Sequence, residues 1–337
     1  MAIENSIERP SSTRWAMAGL SLSTLLSSLG TSIANVALPA LARAFDAPFH
    51  GVQWIVLAYL LSMTVLMVSA GRLGDVTGRR RLLLAGILLF TASSIACAVA
   101  PTLRLLVAAR AAQGVGAAIM MAMTMALAGE LMPKARTGSA MGLLGTMSAI
   151  GTALGPSLGG VLIAGAGWRA IFLVNVPLGI ATFLIAHRHL PIDRVATAGA
   201  SASTRPGTPV LTLLRDRSLA ASLATNALVS AVMMATLVVG PFYLSSSLGL
   251  GPAAVGFAMS AGPLATALTS VMAGRLVDGM GAPGMTLAGL ATLAAGAFIL
   301  ALLPATLGVP GYVGPIVVMT IGYALFQAAN NTAVMTS

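Results

Sequence analysis

Residues 71–78 read Gly71-Arg-Leu-Gly-Asp75-Val-Thr-Gly78, and residues 274–281 read Gly274-Arg-Leu-Val-Asp278-Gly-Met-Gly281. Gly, Arg, Leu, Asp and Gly recur at the same spacing, 203 positions apart. Each copy is a short polar loop that follows one long apolar run and precedes another. A unit repeated in the same setting points to a chain built as two equivalent halves.

Outward from these loops, the apolar runs number ten: 15–38, 54–73, 82–100, 103–129, 138–164, 170–187, 219–244, 253–276, 284–303 and 311–335. A bilayer core of about 30 Å takes about 20 apolar helical residues, so each run is long enough to span it. The chain of 337 residues is 57% hydrophobic and only 8% charged, against about 25% charged in a soluble domain. The expected fold class is therefore all-α integral membrane, a two-half bundle of transmembrane helices. The runs are rich in Gly, Ala, Ser and Met; small residues let membrane helices approach closely. The first run exceeds the core of about 7–15 residues of a cleaved signal and reads as the first span.

The polar segment 188–218 separates six spans from four. Its centre, ATAGASASTRPGTP, is small, polar and Pro/Gly-containing, which marks a linker. Residues 209–217 (PVLTLLRDR) can form a short amphipathic helix on the membrane surface. The expected organisation is an N-terminal segment 1–14, a six-helix half 15–187, the linker 188–218, and a second half 219–337 with four helices.

The net charge of +10 could suggest nucleic acid, but the charges sit in the gaps between spans, where membrane orientation requires them. With the N-terminus cytoplasmic, 14 basic residues fall inside and only Arg43, Arg104 and Arg169 outside. None of the eight acidic residues lies in the middle of an apolar run. Cys97 is alone, so no disulfide or cysteine metal site forms. His187 and His189 end the sixth span without a third ligand, so no metal is expected. Neither a nucleophile–base pair nor a phosphate-binding loop is present, which argues against an enzyme, a cofactor or an ATP-driven pump.

Arg110 is the exception to the charge pattern, a full charge well inside the fourth span. A central arginine costs about 2.5–3.5 kcal/mol on insertion scales. Function and a structural role against backbone carbonyls both explain its presence. Gln113 follows one turn later on the same face and can share its polar site. Gly151, Gly155 and Gly159 recur every four residues and make a smooth helix face, and Pro156 removes a donor and should bend that helix. Asn35, Asn226, Gln327, Asn330 and Asn331 are amides within or near the spans, suited to interhelical hydrogen bonds or to substrate contact.

These motifs resemble the major facilitator superfamily, and within it the multidrug:proton antiporters, from about Leu29 to the end. GRLGDVTGRRRL resembles the family's loop between helices 2 and 3, matched at Gly71, Asp75, Gly78, Arg79 and Arg80. The run around Arg110, Gln113, Gly114 and Gly116 resembles the buried-arginine motif. Gly151 to Gly160 resembles the antiporter motif, and Trp168-Arg169-AIFLVNVPLG and Asn35-VALP resemble the drug-exporter branch. Gly30 stands where that branch usually has an Asp.

The resemblance implies a secondary transporter of small molecules in the cell (inner) membrane, working by alternating access with protons as coupling ion, as a monomer in the lipid bilayer. It implies that the Asp75 loop, with its copy at Asp278, is a cytoplasmic latch whose salt bridges break and re-form. The competing view, a solvated loop that fixes orientation, accounts for the arginines but not for Gly71 and Gly78. The glycine helix is implied to line the contact between the halves. With no acid in mid-span, neutral or anionic apolar substrates are expected, and Glu130 is the nearest visible proton site. A membrane scaffold and a carrier of one specific metabolite are the alternatives. The family has twelve or fourteen helices, so two more, or a full chain of roughly 400 residues at about 20 residues per span, are expected beyond Ser337. The eleventh helix would receive the Asp75 loop.

Overall fold

The computed structural model describes residues 10–132, 137–191, 217–280 and 282–336. Side chains are described there except at 10–12, 137–139, 217–223, 270–271, 273–280, 282, 305 and 331–336. The expected interfacial helix over 209–217 and the body of the linker lie outside the described residues, apart from Arg217.

The chain divides into two units, one up to Val195 and one from Ala196. In the first unit, α1 spans Pro10–Ala44, α2 Phe49–Thr77, α3 Arg79–Val99, α4 Leu103–Leu131 and α5 Thr137–Ala166. The sixth span is broken into α6 (Ala170–Leu173) and α7 (Asn175–His189). Pro177 explains the break, because it has no N–H to offer the Leu173 carbonyl one turn earlier. In the second unit, α8 spans Arg217–Phe242 and runs into a π-helical turn, Tyr243–Ser247, just past Pro241. It is followed by α9 (Pro252–Met280), α10 (Ala282–Leu302) and α11 (Gly308–Thr336). All described secondary structure is helical. Nine spans among the described residues are long and apolar enough to cross a membrane, and the tenth expected span lies within α9.

The repeated motif is helical rather than a loop. Residues 71–77 complete α2, and 274–280 complete α9. In the first copy the turn is confined to Gly78, at φ 95°, a conformation that favours glycine. Gly71 and Gly74 each weaken a helix only by about 1 kcal/mol, and nothing before Gly78 stops it.

In the first unit, α1 packs on α5, α7 and α4, α2 on α4, and α3 on α4 and α7. Leu20, Leu26, Tyr59, Leu83, Ile87, Phe90, Met120 and Ala128 form its core. In the second unit, α11 packs on α10 and α9, with Val229, Leu293 and Phe326 at the centre of one cluster. The outer faces are apolar too: Val68 is 71% exposed and Phe298 70%. In water such faces would aggregate; against lipid they are in their proper solvent.

The duplication reaches past the quoted motif into the packing. The offset of 203 carries Gly86 on α3 to Gly289 on α10. A Cβ on Gly116 of α4 would lie 2.9 Å from the Gly86 carbonyl and 3.0 Å from the Phe90 Cα. A Cβ on Gly322 of α11 would lie 2.7 Å from the Gly289 carbonyl and 3.0 Å from the Leu293 Cα. Both units therefore use one backbone-to-backbone crossing in which neither partner tolerates a side chain.

Candidate functional site

Arg110 lies in the interior of the first unit with no exposed surface. Its Nε donates to the Ile55 carbonyl of α2 at 3.0 Å, and its Nη1 to the Gly30 carbonyl of α1 at 3.1 Å. Nη1 also donates to Gln113 Oε1 at 2.6 Å. That bond fixes the amide's orientation, because Gln113 Nε2 then donates to Ser94 Oγ of α3 at 2.7 Å. Ser94 passes the chain on to the Phe90 carbonyl at 2.8 Å. One guanidinium and one amide thereby join four helices. Tyr59 lies under the guanidinium, with Cζ 4.2 Å from the ring centroid, an arrangement that favours a cation desolvated from water. The Tyr59 hydroxyl donates to the Ser27 carbonyl at 2.9 Å.

Two features set this site apart. Arg110 Nη2 is buried without an acceptor. And none of the acceptors is a carboxylate: two are main-chain carbonyls and one is an amide oxygen. Helix carbonyls carry two lone pairs, so those of Ile55 and Gly30 can serve the arginine and their own helices at once. Gly30, where the resemblance led one to look for an Asp, brings its carbonyl instead. A Cβ there would lie 2.8 Å from Phe90 Cζ, so Phe90 fills the space that a side chain would need. By the repeat offset between α4 and α11, the counterparts of Arg110 and Gln113 are Ile316 and Met319, both buried. At these two described positions the second unit carries no copy of the charged site.

At the helix ends of the same unit, Arg79 joins two carboxylates. Its Nη2 lies 2.8 Å from Asp75 Oδ1 and its Nη1 2.6 Å from Glu130 Oε1. These three residues come from the end of α2, the start of α3 and the end of α4. Arg80 Nη2 donates to the His187 carbonyl at the end of α7, so four helix ends meet in one exposed polar cluster. The structure thus places Glu130 beside Arg79 at the bundle's end, 56% exposed, and not in the apolar interior. Gly71 faces open space, whereas a Cβ on Gly74 would run into Met123. The side chain of Asp278 lies outside the described ones.

The small-residue stripe of α5 is turned toward α1. A Cβ on Gly151 would lie 2.6 Å from the Leu25 carbonyl, one on Gly155 would overlap Ser32, and one on Gly159 would lie 2.7 Å from Val36 Cγ1. Ser28 and Ser148 share a hydrogen bond of 2.8 Å across the same seam, and Ser32 donates to the Gly151 carbonyl at 3.1 Å. Pro156 sits inside α5. These glycines therefore serve packing within the first unit.

Of the amides, Asn35 is buried and its Oδ1 has no partner, while its Nδ2 donates to the Thr31 carbonyl at 3.5 Å. Asn226 Oδ1 and Gln327 Oε1 in the second unit are buried and unpartnered as well. Asn330 is half-buried on α11, and the side chain of Asn331 lies outside the described ones. His187 stacks on Phe183 and His189 on Trp15. The sequence reading missed Ser94, Tyr59, Phe90 and Asn175. Asn175 is buried at the start of α7, with Nδ2 donating to the Ile171 carbonyl and Oδ1 unpartnered. One signal was available: Tyr59 is the sole tyrosine in the first six spans.

The Major Facilitator Superfamily model matches residues 20–337. The chain is 30% identical to the uncharacterized transporter YebQ of Escherichia coli over 92% of its own length and 79% of that protein. It is 33% identical to the multidrug resistance protein Stp of Mycobacterium tuberculosis over 81% of its length, spanning 60% of that relative. The riboflavin transporter RibZ of Clostridioides difficile is 27% identical over 93% of the chain and 79% of its own length. Among solved structures, a bacterial homolog of the human lysosomal transporter Spinster has a TM-score of 0.73 at 15% identity, covering 96% of this chain and 75% of its own. The xylose transporter XylE of E. coli has a TM-score of 0.73 at 15% identity, covering 97% and 85%. A helical chain with nine membrane-spanning-length helices among its described residues and an arginine sealed in its fourth helix, matched to the family over nearly its whole length, belongs to the Major Facilitator Superfamily.

Proposed function

We propose that this chain works as a secondary active transporter that exports small, mostly apolar molecules by alternating access, driven by protons. The observation that carries the reading is the sealed Arg110–Gln113–Ser94 network in a multi-pass chain of this family. A buried charge in a membrane helix is costly, and four helices converge on this one. Relatives named multidrug resistance proteins, Stp of M. tuberculosis and MdtD of Salmonella, support a drug-like range of substrates. The name of RibZ supports a second reading, a carrier of one specific metabolite.

Under this proposal Arg110, Gln113 and Asn35 serve the substrate pathway in the first unit, and Asn226, Gln327 and Asn330 in the second. The N-terminus is cytoplasmic in the inner membrane, and the Asp75–Arg79–Glu130 cluster is a latch on that side. The cluster's exposure supports the latch, because ion pairs in water are worth about 0–1 kcal/mol and can exchange without a large barrier.

The test is uptake into proteoliposomes under an imposed pH gradient, with a panel of apolar dyes and riboflavin. Gradient-dependent accumulation of several unrelated dyes supports drug-like export. Accumulation of riboflavin alone supports the metabolite carrier. Uptake no greater than that of protein-free liposomes refutes both.

A further inference from the structure

The start of α1 meets the end of α7 through two rings. Trp15 stacks on His189, with centroids 5.7 Å apart and planes 25° apart. His189 Nδ1 lies 3.1 Å from the Ile185 carbonyl; a carbonyl can only accept, so Nδ1 carries the proton. The start of α3 joins the same junction, because Arg80 Nη2 donates to the His187 carbonyl. Each stacked ring has an arginine beside it in sequence, Arg14 next to Trp15 and Arg188 next to His189, and both arginines are exposed. Among the described residues, the carboxylates at this end of the unit are Asp75 and Glu130, and both bond Arg79 instead. Below the charges the surface is apolar. Arg188 stands one and two turns from Leu184, 60% exposed, and Ile180, 52% exposed, the spacing of one helix face. On α3 the exposed Arg81 likewise begins a face that continues through exposed Leu88 and Ile95. Such faces meet acyl chains, so these arginines stand where hydrocarbon gives way to headgroups. Trp15, 54% exposed, offers the amphipathic ring that settles at that depth.

We infer that the junction of α1, α3 and α7 is a binding site for one anionic phospholipid. Its phosphate lies at Arg14 and Arg188, beside the Trp15–His189 stack, and its acyl chains run down the exposed faces of α3 and α7. Arginine suits the task, since its planar fork matches phosphate oxygens two at a time. A soluble phosphate would use the charges alone; the apolar faces that begin at Arg188 and Arg81 are what a lipid adds. The bound lipid ties the start of α1 to the end of α7, where the two helices otherwise meet through the ring stack and the close approach of Gly19 to Ile185 and Ala186.

The experiment titrates the whole chain, in a non-ionic detergent, with dioleoylphosphatidylglycerol or with dioleoylphosphatidylcholine, which has the same chains and no net charge. Bound lipid is read by native mass spectrometry. The wild type is expected to retain one phosphatidylglycerol in preference to phosphatidylcholine. An arginine near an anionic headgroup is worth about fivefold in affinity, so Arg14→Gln with Arg188→Gln should weaken phosphatidylglycerol binding roughly 25-fold. Arg43→Gln with Arg104→Gln removes the same charge at the opposite end of the unit and should leave binding unchanged. Glycerol phosphate, the headgroup without its chains, should fail to displace the lipid at equal concentration. Equal retention of the two lipids by the wild type, or an equal loss in the two double variants, overturns the inference. Displacement by glycerol phosphate at equal concentration overturns it too, in favour of a soluble phosphate. The wild-type comparison of the two lipids decides the matter even where a double variant fails to fold.

Discussion

Replacing Arg110 with methionine should abolish transport while leaving the fold nearly intact, and the structure gives the size of the effect. The substitution removes three hydrogen bonds from a charged donor, to the Ile55 carbonyl, the Gly30 carbonyl and Gln113 Oε1. Bonds of that kind are worth about 1.5–3 kcal/mol each. Two of the acceptors are helix carbonyls whose own helices still serve them, so only Gln113 Oε1 is left buried without a partner, at about 1–3 kcal/mol. Against this, the desolvation penalty of a sealed charge, several kcal/mol, disappears, and so does the orphaned Nη2. The terms nearly cancel, and methionine refills the space over Tyr59 with a flexible apolar chain. The net change is expected to stay within about 2 kcal/mol, or a shift of roughly 4–8 °C in Tm for a unit of this size. Arg110→Ala leaves a cavity as well and should cost about 2–5 kcal/mol more. Arg110→Lys keeps the charge but cannot hold Ile55, Gly30 and Gln113 from one planar group, and should fail in transport too. The assay pairs fluorescence-detected thermal unfolding in detergent with proteoliposome uptake. A methionine variant that transports at the wild-type rate, or one that loses its cooperative transition altogether, refutes this reasoning.

Asp75→Asn should change stability by no more than about 1 kcal/mol, since the pair with Arg79 is exposed, yet slow turnover more than it weakens substrate binding; a binding loss at unchanged turnover contradicts the latch. Glu130→Gln, which strips Arg79 of its other carboxylate, should give the same phenotype, with turnover measured against binding in the same assay. Gly116→Ala and Gly322→Ala each drive a methyl group into the backbone of a neighbouring helix, and each should destabilise by about 1–3 kcal/mol, read as a lowered Tm. Gly155→Leu should separate α1 from α5 and prevent purification of a monodisperse protein, whereas Gly71→Ala, which faces open space, should be silent in Tm.

The spans were legible because run length alone carries the information: a stretch of about 20 apolar residues has few fates. Arg110 and Gln113 were legible for a related reason, as a charge and an amide one turn apart on a helix. The Gly71 motif shows the limit of the same reading. Its polar residues looked like a loop, but helical hydrogen bonding continues regardless of side-chain polarity until Gly78 supplies a positive φ. What could not be read were contacts between residues distant in sequence. Nothing local says that the Gly30 carbonyl, 80 positions away, receives Arg110, or that Phe90 closes the space beside it. The stripe at Gly151, Gly155 and Gly159 announced a close approach but not its partner, since a smooth face is the same whichever helix lies on it. The run 170–187 reads as one span, and the break at Val174, three residues before Pro177, is seen only in the structure.

The most direct measurement is uptake of an apolar solute into proteoliposomes under an imposed pH gradient, compared between wild type and Arg110→Met at matched incorporation. Accumulation by the wild type that collapses when the gradient is dissipated, and that the methionine variant lacks while keeping its thermal transition, is the predicted result. Equal accumulation by both proteins would contradict the claim that the sealed Arg110 network is the heart of a transport site.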